Sequence, residues 1–184
     1  MRRRIHWPAV LTIGRVVLVV PVVVLTLRET PASSWVAFIA FGIAALTDGL
    51  DGFAARRLGL VSDAGKTWDP IADKILVLAA MAALVVVERF PLWAAVVIVA
   101  REAIVTAMRL LAARRGRAFA ASVTGKIKTA LQLVAVLLYI LPAGTVAHGI
   151  ELTVLWLAVG FTVVSGAQYL IRAPSLIGSR PLQR

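Results

Sequence analysis

Apolar residues run through this chain in long, nearly unbroken stretches, and polar residues collect in the short gaps between them. Six stretches stand out, at approximately Ala9–Leu27, Trp35–Ala55, Pro70–Val87, Leu92–Met108, Thr129–Leu141 with its polar lead-in, and Ile150–Ile171. A bilayer core of about 30 Å needs roughly 20 apolar helical residues per crossing. The pattern therefore predicts an all-α chain, a polytopic integral membrane protein with six transmembrane helices. The gaps leave no room for a soluble module, and no internal repeat is visible. Residues 1–184 read as one transmembrane domain, with a juxtamembrane lead-in over 1–8 and a tail over 173–184.

Composition strengthens that reading. The chain is 60% hydrophobic and only 16% charged, with a mean hydropathy of +0.91. A soluble domain carries about 45–50% apolar and about 25% charged residues. Disorder, a nucleic-acid-binding arm and an ordinary cytosolic domain are excluded. The absence of cysteine removes disulfides, thiolate metal ligands and a thiol nucleophile. The net charge of +11 needs an explanation by position. With the N-terminus in the cytoplasm, Arg28 and Arg89 alone fall in outer connections, while the loop and terminal Lys and Arg otherwise gather on the inner side. That bias predicts both termini cytoplasmic. Arg2–Arg4, an apolar run and Thr30–Ser34 loosely imitate a secretory signal. The run is too long for such a signal, and its removal would leave an odd number of spans.

The acidic residues carry the chemistry. Five of nine lie within 26 residues: Asp48, Asp51, Asp63, Asp69 and Asp73. Asp63 has the character of a turn or cap residue. Asp48 and Asp51 are three apart, so they leave one face of the second helix; Asp69 and Asp73, four apart, share a face of the third. A short connection makes the two helices antiparallel neighbours, so four carboxylates can converge. Each carboxylate at a helix centre costs about 2.5–3.5 kcal/mol on insertion scales, roughly 10–14 for four. Proximity to the cytoplasmic edge lowers this. Like charges so close still require a compensating cation, and an all-oxygen donor set suits Mg2+ or Mn2+ better than zinc. Two structural alternatives compete. Asp69 followed by Pro70 has the form of a helix N-cap with proline at the first helical position; a metal site instead needs the helix to begin near Ser62 or Asp63, with Pro70 inside it. Asp48 and Asp51 could also pair with Arg56 and Arg57, or form a proton or cation relay.

At this point the residues resemble a known family. Asp48, Asp51, Gly52, Ala55 and Arg56, followed after eight residues by Gly65 and then at four-residue steps by Asp69 and Asp73, are similar at every fixed position to the signature of the CDP-alcohol phosphotransferases. The resemblance extends to the six-helix layout and so spans nearly the whole chain. Beside it stand physical roles. Gly52 lets a bulky ligand approach the backbone, Ala55 keeps that surface low, Arg56 offers a guanidinium fork to a diphosphate, and Gly65 permits close approach of the third helix. The resemblance implies that Asp48, Asp51 and Asp69 hold metal that binds the CDP diphosphate. It implies further that Asp73, itself a possible metal ligand, takes the proton of the acceptor alcohol. The hydroxyl then attacks the β-phosphorus and CMP leaves. CDP binding would fall to Asp48, Asp51, Gly52, Ala55, Arg56, Gly65 and Asp69, and the family implies a homodimer.

The acceptor must be read elsewhere. Arg101 and Glu102 lie mid-span on the fourth helix, and buried arginine in a span is a functional candidate. Glu102 and Arg109, seven apart, share a face, whereas Arg101 is expected to point elsewhere. A structural Arg–carboxylate pair is the alternative. Arg114, Arg115 and Arg117 read as a stripe facing solvent or anionic lipid headgroups. Lys126 and Lys128 open the fifth helix beside Thr124 and Thr129, where free N–H groups and ammonium groups make an anion pocket.

The segments Arg101–Arg109, Gly125–Thr129 with Gln132, Asp69–Lys74, and Pro8, Leu11, Thr12, Arg15 and Pro21 resemble one branch of the family, the phosphatidylglycerophosphate synthases. Ala9 departs from the branch, which usually has asparagine there. The branch implies CDP-diacylglycerol as donor and glycerol 3-phosphate as acceptor, its phosphate meeting Arg109, Lys126, Lys128 and Arg101. Sibling branches accept inositol phosphate, serine or phosphatidylglycerol, the last giving cardiolipin. A basic pocket disfavours serine but does not separate glycerol phosphate from inositol phosphate.

Two other classes compete. A cation- or proton-coupled transporter predicts carboxylates near the midplane and often an inverted repeat, neither of which the sequence displays. An anionic-lipid scaffold leaves the aspartates without a role. Trp35, Trp93 and Trp156 read as interface anchors, and Trp7 belongs to a short amphipathic lead-in. His6 and His148 lie away from the acidic cluster. The expected location is a bacterial inner membrane, with the active site facing the cytoplasm and no nucleic-acid partner.

Overall fold

The computed structural model describes the backbone of residues 7–58, 63–114 and 122–177, and the side chains of residues 17–47, 74–114 and 122–171. Every element there is helical: α1 (Trp7–Leu27), α2 (Pro31–Leu58), α3 (Asp63–Val86), α4 (Leu92–Arg114), α5 (Val123–Ile140) and α6 (His148–Ile177). Each expected apolar stretch has its helix, and most helices outrun the stretch. Apolarity marks where a helix meets lipid, whereas the backbone keeps its hydrogen bonds into the polar boundary. Two helices, over Val123–Ile140 and His148–Ile171, are long and apolar enough to cross a membrane, and no more than a third of either is buried. Val17–Leu27, Pro31–Thr47 and Lys74–Val86 are shorter apolar helical stretches among the described residues.

The helices group into two compact units. The first comprises Met1–Phe90 with Val136–Ala147. Here α1 packs against α2 and α3, and α2 touches α3. The buried faces are rich in small residues: Ala37, Phe41 and Ala44 on α2; Leu76, Ala80, Met81, Ala83 and Leu84 on α3. Small side chains let helix backbones approach, the usual basis of packing between helices in lipid. Meanwhile Val17, Val20, Val24 and Leu27 line an exposed face of α1.

Local chemistry fixes the turn between α1 and α2. Glu29 takes a left-handed conformation with φ of 52°. Thr30 then caps α2 reciprocally: the Ser33 backbone N–H donates to Thr30 Oγ1 at 3.2 Å, and the Thr30 N–H donates to Ser33 Oγ at 3.2 Å. With Pro31 at the first helical position, this is a capping box. The Thr30–Ser34 stretch that imitated a signal cleavage site is thus the start of a helix. At the end of α3, the guanidinium of Arg89 donates to the carbonyls of Ile140 and Leu141 at the end of α5. It thereby satisfies acceptors that a helix terminus leaves open.

The second unit comprises Pro91–Ala135 with His148–Arg184, and in it α4 packs on α6. Its interior inverts the soluble pattern. Thr162, Ser165 and Tyr169 of α6 are buried, while Trp156, Leu157, Val163, Val164 and Leu170 are exposed. Lipid-facing helices distribute polarity in this way, because hydrocarbon solvates leucine better than it solvates a hydroxyl.

Candidate active site

The acidic motif rests on unbroken helix. α2 continues to Leu58, so Asp48, Asp51, Gly52, Ala55 and Arg56 are helical and keep the three-residue step that puts Asp48 and Asp51 on one face. α3 begins at Asp63, which makes Asp63 the terminal residue expected of it. Asp69 therefore lies inside α3 and is not its N-cap. Asp69 and Asp73 are one helical turn apart, with Pro70 and Gly65 in the same helix. The condition that the metal reading placed on this helix is met at the level of the backbone. The side chains from Asp48 to Asp73, on which the convergence of the carboxylates and the roles of Gly52, Ala55, Arg56 and Gly65 toward CDP depend, lie outside the described residues. Among the described residues no group of three or more His, Asp or Glu side chains could hold a metal ion. The donor set of the motif itself, four carboxylates on two helices, has the chemistry a hard divalent cation requires.

The basic residues of the second unit form a connected network. Glu102 Oε1 accepts from Arg101 Nη1 at 2.9 Å and from the ammonium of Lys128. Arg101 Nη2 donates to Ser165 Oγ at 3.0 Å. Arg109 donates through Nη2 to the Tyr169 hydroxyl. The guanidinium carbons of Arg109 and Arg101 lie 5.1 and 5.7 Å from the centroid of the same Tyr169 ring. The expectation that Arg101 points away from Glu102 is corrected. A long arginine side chain curls back to the neighbouring carboxylate, because burial makes an unpaired charge costlier than a bent side chain.

The four cations are of two kinds. Lys128 is 3% exposed, and the side chains of Arg101 and Glu102 are each 12% exposed. Arg109 and Lys126, by contrast, stand at the surface. Arg101, Arg109 and Lys128 against one carboxylate leave two net positive charges. The Arg101 Nε–H is buried with no hydrogen-bond partner.

Further polar pairs line the same helices. Gln132 Nε2 donates to Thr162 Oγ1 at 3.0 Å, and Thr124 Oγ1 donates to Gln168 Oε1 at 2.6 Å. Tyr169 escaped the sequence reading, although a signal existed. Thr162, Ser165 and Tyr169 recur at three- and four-residue steps and mark a polar stripe through an apolar helix. His148 pairs with Glu151 at the exposed start of α6. Trp35, Trp93 and Trp156 are exposed, and the last two stack with ring centroids 4.9 Å apart.

The family model for CDP-alcohol phosphatidyltransferase matches residues 5–164. The chain is 45% identical to a CDP-diacylglycerol–glycerol-3-phosphate 3-phosphatidyltransferase of Bacillus subtilis (strain 168), over 77% of this chain and 75% of the relative. It is 39% identical to a probable phosphatidylglycerophosphate synthase of Mycobacterium tuberculosis (strain CDC 1551 / Oshkosh), over 92% and 82%. A CDP-diacylglycerol–glycerol-3-phosphate 3-phosphatidyltransferase of Shigella flexneri serotype 5b (strain 8401) is 33% identical over 90% of this chain and 93% of its own. With the family model covering most of its length, the chain belongs to the CDP-alcohol phosphatidyltransferase family.

Proposed function

We propose that the protein transfers a phosphatidyl group from CDP-diacylglycerol to glycerol 3-phosphate, giving phosphatidylglycerol phosphate and CMP. The observation that carries this reading is the 45% identity, over three quarters of both chains, to a relative bearing that activity's name. The continuity of α3 through Asp69 and Asp73 supports the chemistry. Asp48, Asp51, Asp69 and Asp73 would hold a divalent cation, Mg2+ or Mn2+. When bound, the ion supplies charge neutralisation to the diphosphate and makes the β-phosphorus a better electrophile. Arg56 would clamp the diphosphate, while Gly52, Ala55 and Gly65 keep the helix surfaces low enough for CDP to lie against them. Asp73 accepts the proton of the acceptor hydroxyl. The freed oxygen attacks the β-phosphorus, the bond to the CMP oxygen breaks, and a phosphodiester remains.

The acceptor's phosphate, close to a dianion at neutral pH as phosphate monoesters are, suits a network that carries two net positive charges. Arg109 and Lys126 at the surface would meet it first, with Lys128 and Arg101 contributing charge from behind. The buried, unmatched Arg101 Nε–H supports a role beyond structural pairing, since buried donors are nearly always satisfied.

The same proposal includes six membrane crossings with both termini cytoplasmic, one domain over 1–184, a homodimer, contact of the basic loops with anionic lipids, and an inner-membrane site facing the cytoplasm. The family match runs from residue 5 to residue 164 and so crosses both compact units, which favours one functional domain. The apolar exposed faces favour lipid as solvent.

The test is an acceptor panel. Detergent-purified protein with Mg2+ and CDP-diacylglycerol is expected to release CMP with glycerol 3-phosphate. Inositol phosphate, serine and phosphatidylglycerol are expected to give little. Asp73→Asn is expected to stop release while helix content and melting temperature hold. Absence of CMP with all four acceptors overturns the enzyme reading, and release with a different acceptor reassigns the branch.

A further inference from the structure

Tyr169 occupies an unusual position for a tyrosine in an apolar helix. It is buried, its ring faces two guanidinium groups, and its hydroxyl accepts a hydrogen bond from one of them. Those guanidiniums come from residues eight apart on α4, Arg101 and Arg109. Two like charges drawn toward one point repel each other, and an exposed arginine such as Arg109 samples many rotamers. A tyrosine ring offsets both effects. Its π face carries partial negative charge that attracts each cation, and its oxygen fixes the direction of the Arg109 fork.

We propose that Tyr169 is a positioning residue for acceptor binding. It holds the Arg109 and Arg101 guanidiniums in place before a phosphate monoester arrives, so that little ordering is left for the binding step. The proposal rests on the acceptor-pocket reading above and adds a residue to it from α6. Its physical content is preorganisation: fixing a cation in its binding geometry improves affinity without adding a contact to the ligand. The effect therefore belongs on the acceptor's KM. It is expected to be absent from the donor's KM and from the chemical step, because the ring and hydroxyl of Tyr169 engage the two acceptor-side arginines.

The experiment uses the full-length protein in detergent micelles, with glycerol 3-phosphate and CDP-diacylglycerol varied separately. Tyr169→Phe keeps the ring and removes the hydroxyl. It is expected to raise the KM for glycerol 3-phosphate about ten- to a hundred-fold, the range for a hydrogen bond to a charged group, with kcat and the donor KM within two-fold. Tyr169→Leu, lacking ring and hydroxyl, is expected to raise it further. Arg109→Ala provides the reference. If Tyr169 acts through Arg109, the double variant Arg109→Ala/Tyr169→Phe lies within about three-fold of Arg109→Ala alone, whereas independent sites would multiply. A merely structural tyrosine predicts the opposite: a lower melting temperature, a loss shared by kcat and both KM values, and multiplicative behaviour in the double variant. That result overturns the proposal, as does an unchanged acceptor KM in Tyr169→Phe. An Arg109→Ala variant with a normal acceptor KM instead removes the pocket reading itself, and Tyr169's role with it.

Discussion

Replacing Glu102 by Gln tests how the second unit tolerates charge in its interior. Glu102 is the only acidic residue on α4, and its carboxylate accepts from both Arg101 and Lys128. Lys128 is almost wholly buried, at 3% exposure, so water cannot take over when the carboxylate is lost. Removing one partner of a buried ion pair costs about 3–5 kcal/mol. The neutral amide retains the shape and part of the hydrogen bonding, which favours the lower end. At about 2–4 °C of melting temperature per kcal/mol for a chain of this size, the expected loss is roughly 6–12 °C. Thermal unfolding of the purified protein, followed by circular dichroism, reads this directly. A compensated variant, Glu102→Gln with Lys128→Met, is expected to recover most of the loss, because a thioether of similar length replaces the buried ammonium that the carboxylate balanced. If Glu102→Gln melts within 2 °C of the parent, at that conversion less than about 1 kcal/mol, the pair is effectively solvated and the reasoning from burial fails.

Two more substitutions separate readings that the sequence joined. Lys126→Ala removes an exposed cation and is expected to raise the acceptor KM with stability unchanged. Lys128→Ala removes a buried side chain and one of the two cations on Glu102, and is expected to lower the melting temperature as well; unfolding curves and acceptor titrations on the two single variants distinguish them, and identical behaviour would contradict their different burial. On α6, a Cβ at Gly166 would meet Arg101 Cγ at 3.1 Å, whereas one at Gly160 meets nothing within 4 Å. Arg101 is tethered at both ends of its guanidinium and cannot give way. Gly166→Ala is therefore expected to destabilise by about 1–3 kcal/mol through overpacking, and Gly160→Ala to stabilise by about 0.5–1 kcal/mol through backbone entropy. Melting temperatures of the pair that move in the same direction would refute the steric argument.

Much of the fold was legible because apolar runs and helices are tied by the bilayer. All six helices fall where the runs predict. The runs nevertheless stop short of the helix ends, and the candidate residues Arg56, Asp69, Arg109, Lys126 and Lys128 lie in the difference. α3 begins at Asp63, seven residues before the apolar stretch that suggested it, and this decides between a capping and an intrahelical role for Asp69. No propensity argument could settle that, since Asp-Pro fits both. The acidic motif was legible through spacing alone, because three- and four-residue steps on a helix fix a shared face. Lys126 and Lys128 looked equivalent in sequence, two residues apart at one helix start; half a turn of helix sends one to the surface and the other inward to Glu102. Arg101 was misjudged because face arguments treat side chains as short spokes, whereas a guanidinium reaches several ångströms around a helix to find a carboxylate. Tyr169 was missed because its partners are sixty and more residues away in sequence.

The capping box at Thr30 and Ser33 makes α2 a ruler with a fixed zero. Counting from that zero, each residue advances the helix by about 100° and 1.5 Å, so the compass bearing of Asp48 and Asp51 is set by the number of residues after the cap. A single alanine inserted between Trp35 and Thr47 would leave the composition and the cap intact yet swing both aspartates more than a quarter of the way around the cylinder. Apolar substitution is cheap on the exposed side of that stretch, at Val36, Ile39 and Ile43, but under the proposed metal reading its length matters as much as the aspartates themselves.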